Sequence, residues 1–470
     1  MKKLIGQMVN IGFGVIISMV LTILTTPIIT RIINPESYGE FSLFQTFSNV
    51  AMMIFCLGMD QSLVRYYYEN DSIAYKRELL KKSTLLPLII VIIFLFLSFI
   101  FAGFFNTYFL NDKIYTFLLL LNITFSIMYR FSIMVVRLEH QSRAYSVLTI
   151  LSKVVYLINV FIFIFLNITS SYALTISLTI STIFCLIISI TINRKIFKFW
   201  KSSTNNINLN ELMKYGFPYI FSMALTSLFQ ANDKFFLSIY SDTRTIGIFA
   251  SAVSIVSFLN IIQNTFTTIW SPYYLDFYFK NPYDHDFFKK VNDSVVTVMI
   301  IIGSSLIFFK DYIVFLLGMN YRDAKVLIPF LIFGPIMYTI SETTVIGLVI
   351  AKRSKLQVII SFITFIIALL LNQIMVPTMG GIGAAISTGI SYIIFYILRS
   401  YFSNSVLKID FNFGKSSVLI LILFIYSMFS TFYSNQIISF FIYIFIVLID
   451  LTLYRKIISY GLKEIFIKRR

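Results

Sequence analysis

A chain of 470 residues that is 58% hydrophobic and only 13% charged is too apolar for a water-soluble domain, in which about a quarter of the residues carry charge. Its formal net charge of +17 would suit a nucleic-acid partner in a soluble protein. In a membrane chain basic residues collect in cytoplasmic loops instead, so no nucleic-acid partner is expected.

The two cysteines, Cys56 and Cys185, both fall inside apolar runs, which argues against a disulfide framework or a metal cluster. The two histidines, His140 and His285, are both expected in loops and leave little for a catalytic or zinc site.

Apolar stretches of the length that crosses hydrocarbon, about 20 residues, recur along the chain, for example over 85–105 and 358–376. They are too long and too continuously apolar for barrel strands, so an all-α integral membrane fold is predicted. In chain order about 14 transmembrane helices are expected. They cover 10–30, 41–59, 85–105, 115–136, 146–166, 173–192, 215–239, 246–269, 293–309, 326–349, 357–376, 382–398, 417–433 and 436–453.

The first follows Met1-Lys2-Lys3 like a signal peptide, but it runs to about Ile29 with no small-x-small cleavage site before Pro27, so a retained span is expected. The seventh carries Asp233 and Lys234, and the ninth is short. Gly380-Gly381-x-Gly383 has no Lys-Ser/Thr sequel and reads as a tight turn between two spans rather than a phosphate loop.

The basic residues set an orientation. Most lie in loops on the side of the N-terminus, while the opposite loops hold only Arg31, Lys113, Arg244, Lys310, Arg322 and Lys325. Both termini are therefore expected to be cytoplasmic. Trp200 and Trp270 fall near cytoplasmic ends, where interfacial aromatics belong.

A faint repeat joins Arg31 and the following Tyr38-Gly39-x-Phe41 to Lys234 and the following Ile246-Gly247-x-Phe249, about 208 residues on. It suggests a six-helix lobe over 1–192, a second over 193–402, and two added helices with a basic cytoplasmic tail over 403–470.

These residues carry a resemblance. Arg31-x-x-x-Pro35-Glu36-x-Tyr38-Gly39-x-Phe41, Leu57-Gly58-Met59-Asp60, Arg65-Tyr66, Tyr215-Gly216-Phe217-Pro218, Asp233-Lys234, Gly247-x-Phe249 and Leu317-Gly318-x-x-Tyr321 make the chain similar to polysaccharide transporters. These belong to the multidrug/oligosaccharidyl-lipid/polysaccharide exporter superfamily, and the likeness is strongest to Wzx-type flippases of O-antigen (lipopolysaccharide) and capsule repeat units. The resemblance implies a cavity between two six-helix lobes and alternating access for undecaprenyl-pyrophosphate-linked glycans in the bacterial cytoplasmic (inner) membrane. It implies no enzymatic activity and no cofactor beyond a proton or sodium gradient. Its implied partners are membrane lipids, a polysaccharide polymerase and a chain-length regulator.

Charges inside spans are costly and usually face the bundle interior. Arg31, Lys234, Arg130, Lys153 and Arg65 are the candidate contacts for the anionic headgroup. The alternative is that their long side chains snorkel to the interface or form structural ion pairs. Asp233, Glu342 and Asp60 are candidates for ion coupling; the alternatives are that Asp233 and Glu342 neutralise a nearby base and that Asp60 is the partner of Arg65. Two other function classes stay open: a drug/cation antiporter, which would favour an acid-rich cavity, and a membrane-embedded polymerase, which would need larger outer loops.

The orientation is testable. Reporter fusions at residue 203 and after residue 470 should read cytoplasmic, and one at residue 169 external; an external reading at 203 would refute the topology.

Overall fold

The computed structural model describes residues 2–100, 113–198, 207–281, 283–433 and 435–455. Every described element is helical: α1 (Lys2–Thr30), α2 (Pro35–Phe55), α3 (Met59–Tyr66), α4 (Ile73–Ile100), α5 (Lys113–Leu138), α6 (Ser142–Phe165), α7 (Ser171–Ile192), α8 (Leu209–Tyr240), α9 (Thr243–Lys280), α10 (His285–Phe308), α11 (Lys310–Val314), a 3₁₀ segment (Met319–Val326), α12 (Ile328–Leu331), α13 (Phe333–Thr344), α14 (Ile346–Ile350), α15 (Ser354–Val406), α16 (Phe413–Phe432) and α17 (Gln436–Leu453). His285 thus opens a helix rather than lying in a loop. Hydroxyl side chains are tolerated in these apolar helices because they bond to carbonyls of the preceding turn, as Thr22 does to Ser18 O (2.9 Å) and Thr364 to Ile360 O (2.8 Å).

Among the described residues nine helices are long and apolar enough to cross a membrane. The number is up to eleven if two bent pairs, α2 with α3 (54°) and the 3₁₀ segment with α12–α13 (52°), are each one span. The all-helical membrane fold is as expected; the count of fourteen is not reached on this measure. Part of the difference is that the expected spans 357–376 and 382–398 are two limbs of α15, which is broken at Gly380 (φ 53°, ψ −129°). The limbs lie together there. Ser387 Oγ donates to Ala368 O (3.3 Å), and a side chain at Gly383 would collide with the Met375 carbonyl.

The chain forms two compact units, Met1–Lys234 and Phe235–Arg470. In the first, α1 packs on α6, α5 and α6 on α7, and α2 on α5. Ser48 Oγ donates to Asn122 Oδ1 (2.6 Å), and Asn122 Nδ2 to Thr179 Oγ1 (3.2 Å). This buried chain of polar groups links α2, α5 and α7 with both hydrogen bonds shielded from water. In the second unit α10 packs on α13, α16 and α17 around buried Phe330, Phe333 and Ile336. Where the span breaks before α12, side chains of α16 take over the freed carbonyls: Thr431 Oγ1 donates to Val326 O (3.0 Å) and Ser427 Oγ to Pro329 O (2.9 Å).

The repeat has a structural counterpart. Asn34 caps α2 by accepting from Ser37 N, and Asp242 caps α9 by accepting from Thr245 N, both at 2.9 Å. The glycines and phenylalanines that follow, Gly39, Phe41, Gly247 and Phe249, are buried. The same cap therefore starts the same kind of helix in each unit.

Two motifs far apart in sequence meet at one backbone crossing. Gly58 is left-handed (φ +66°), and a side chain there would strike the Gly216 carbonyl; one at Gly216 would lie 2.7 Å from Gly58 O and 2.8 Å from Ser62 Oγ. Ser62 Oγ closes the crossing by donating to Leu212 O (2.6 Å). Gly58→Ala combines a left-handed conformation, costing about 1 kcal/mol or more, with this collision. It should lower the unfolding temperature of the purified protein by several degrees. Gly414→Ala, which meets nothing within 4 Å, should not.

Candidate functional site

In the first unit, Asp60 lies in the opening turn of α3 and is completely buried, where an unpaired carboxylate would be heavily penalised. Arg130 of α5 supplies the compensation: its Nη2 and Nε donate to Asp60 Oδ2 at 2.6 and 3.0 Å, and Gln61 Nε2 approaches the same oxygen at 3.2 Å. Asp60 therefore does not pair with Arg65, as sequence proximity suggested. Arg65 is exposed and pairs with Glu69 (3.1 Å) one turn along.

Lys234, half-buried in α8, donates to Thr46 Oγ1 of α2 at 3.2 Å. Its neighbour Asp233 is half-buried, and Asn232, 3% exposed, has neither amide atom hydrogen-bonded among the described residues. Lys153, half-buried in α6, has no hydrogen bond or ion pair among the described residues. Arg31 stands exposed just beyond α1.

Outside the spans, Glu139 accepts from Lys76 Nζ (2.9 Å) and Tyr67 Oη (2.7 Å). Partial burial works against its charge, but these two donors outweigh it and hold the carboxyl below the usual carboxylate range.

In the second unit, Glu342 pairs with Arg399 of α15 (2.7 Å), whose Nη1 also donates to Ser341 Oγ (2.8 Å) and whose guanidinium lies over Tyr338 and Phe395. Trp270 is buried and donates to the Glu342 carbonyl (3.2 Å), so its indole packs inside the second unit. Trp200 lies outside the described residues.

Sequence reasoning missed Arg399 because the twelfth span was expected to stop at residue 398, whereas α15 continues to Val406. It also placed Lys310 in an outer loop. The side chain is 4% exposed and donates to the Ser430 carbonyl, and burial pushes its ammonium down to about 8. Among the described residues no group of three or more His, Cys, Asp or Glu could hold a metal.

The sequence-predicted cations therefore divide. Arg130 is committed to a buried carboxylate and Arg65 to an exposed one, while Lys234, beside Asp233, donates to the Thr46 hydroxyl, and Lys153 has no acidic partner among the described residues. Removing one partner of a buried pair costs about 3–5 kcal/mol, and an exposed pair is worth at most about 1 kcal/mol. Arg130→Ala should therefore strongly reduce the yield and thermal stability of the purified protein, and Arg65→Ala should leave both near the parent.

A family model described as polysaccharide biosynthesis protein matches residues 8–277 of the chain. No curated protein matches it in sequence. Among solved structures, the chain shares its fold with the lipid II flippase MurJ in an inward closed conformation, at 19% identity and a TM-score of 0.70, over 96% of this chain and 100% of that one. It also shares the fold of a multidrug resistance MATE family transporter of the MOP superfamily in its inward-facing conformation, at 14% identity and a TM-score of 0.57, over 83% of this chain and 96% of that one.

Proposed function

The chain belongs to the polysaccharide biosynthesis protein family, and from that premise we propose that it is a flippase. Its substrate would be an undecaprenyl-pyrophosphate-linked oligosaccharide repeat unit of O-antigen, capsule or exopolysaccharide, carried from the inner to the outer leaflet of the bacterial cytoplasmic membrane by alternating access. The observation that supports this most is Lys153. A half-buried ammonium within an apolar helix, with no partner among the described residues, is expensive to keep unless an anion visits it. A pyrophosphate supplies such an anion, and Lys234, also in the first unit, is a second contact on this reading.

The fold shared with a lipid II flippase fits transport of a lipid-linked glycan, chemically unchanged, by a protein that is not an enzyme. On this reading both termini lie in the cytoplasm, and a polymerase and a chain-length regulator act on the product. A drug/cation antiporter is the competing reading of the same fold.

Deletion of the gene should trap complete lipid-linked repeat units on the cytoplasmic leaflet, read in oriented vesicles with a membrane-impermeant glycosidase. Accumulation on the outer leaflet would overturn the assignment. Lys153→Ala should abolish surface polysaccharide in complementation while the protein still inserts, and Lys153→Arg should retain part of it. Full activity of Lys153→Ala would remove this residue from the substrate path.

A further inference from the structure

Where α10 and α16 end and α17 begins, the second unit holds a partly open cavity of about 340 Å³. Phe308 of α10, Tyr312 of α11 and Phe440 and Phe441 of α17 supply much of its wall. Most of the lining is therefore apolar, with a small polar part contributed by α11 and the end of α16.

Two polar groups of that part border the cavity with bonding capacity to spare. Lys310 of α11 is 4% exposed. Its ammonium can donate three hydrogen bonds, and it has one acceptor among the described residues, the Ser430 carbonyl of α16. Ser430 is itself 3% exposed, and its Oγ has no partner among the described residues.

The nearby charges leave Lys310 over. Asp311, which also lines the cavity, is the acid within its electrostatic reach, and Asp311 is paired with Lys325 (3.4 Å). Two ammonium groups against one carboxylate leave one positive charge. The Ser430 carbonyl belongs to the last turn of α16, so Lys310 also caps that helix end. A helix end offers only a partial negative charge, and a buried charge without full compensation is heavily penalised. The complement of this group is an anion.

The setting narrows the kind of anion. The cavity lies where helices long enough to cross a bilayer end or begin, which is the depth of the lipid phosphates. Its aromatic wall suits hydrocarbon rather than a free ion. Basic pockets between membrane helices take anionic lipid headgroups for this combination of reasons.

We propose that the cavity binds one anionic phospholipid, with its phosphate against the Lys310 ammonium and the Ser430 hydroxyl and an acyl chain along Phe308, Phe440 and Phe441. The bound lipid ties the end of α10 to the α16–α17 turn. These residues all belong to the second unit, whereas Lys153 and Lys234 belong to the first. The site is independent of what the protein transports, because occupancy is read without substrate.

The test is thermal unfolding of the purified full-length protein in a non-ionic detergent. It is titrated with short-chain phosphatidylglycerol, with phosphatidylcholine of the same chains, and with inorganic phosphate. Phosphatidylglycerol should raise the unfolding temperature saturably, by about 2–4 °C far above half-saturation. Native mass spectrometry should retain one such lipid per chain. Phosphatidylcholine brings a second cation beside Lys310 and should bind about tenfold more weakly. Inorganic phosphate, without a chain, should leave the unfolding temperature unchanged. Lys310→Met keeps the length and loses the charge, and it should abolish the preference between the two lipids. Ser430→Ala is a smaller change that tests the site even if Lys310→Met does not fold; it should raise half-saturating phosphatidylglycerol about tenfold. Equal responses of the parent to the two lipids would overturn the proposal. So would a response to inorganic phosphate as large as that to phosphatidylglycerol, since the site would then serve a free anion. A Lys310→Met protein that is less stable but keeps the lipid preference would leave Lys310 a helix cap, and the proposal would fall.

Discussion

The cost of placing charge in hydrocarbon governs the way this chain is organised. A carboxylate or guanidinium taken out of water loses several kcal/mol even after the protein relaxes, so each one must find a partner in a neighbouring helix. Asp60 finds Arg130, and Glu342 finds Arg399. Each pair joins helices that lie far apart in sequence, and each fixes where those helices can sit relative to one another within its own unit. The polar chain Ser48–Asn122–Thr179 does the same without formal charge. Packing of apolar side chains discriminates poorly between protein and lipid, and it is these polar contacts that specify one arrangement of the bundle.

Against that background the unbalanced groups stand out. Lys153 and Lys310 lie in different units, and neither ammonium has an ion pair among the described residues. The caps at Asn34 and Asp242 start α2 and α9 in the same way in the two units.

Much of the fold was legible from hydropathy alone, because a helix in lipid must satisfy its own backbone and therefore shows as a long apolar run. The pairing of charges was not. Arg65 is five residues from Asp60, which on a helix turns it away from the same face, while Arg130 is remote in sequence and adjacent in space. Arg399 was hidden by a helix end misplaced by several residues. Lys310 reads as a loop residue, because its burial depends on the last turn of α16, 120 residues away in sequence. The motifs around Gly58 and Gly216 were read as separate marks of resemblance, and their shared cause, a crossing of two backbones, exists only in three dimensions.

The two bent helix pairs, at 54° and 52°, bear on how the chain would fit its bilayer. A straight span meets a thicker or thinner membrane mainly by tilting, which shears its packing along the whole length. A span with a joint can change its angle locally. At the second joint the carbonyls of Val326 and Pro329 are held by the rotatable hydroxyls of Thr431 and Ser427, bonds worth about 1 kcal/mol each. Hydroxyl donors of this kind can follow their carbonyls through a small change of angle. Were each bent pair one span, hydrophobic mismatch would be taken up at its joint rather than spread through the helix packing.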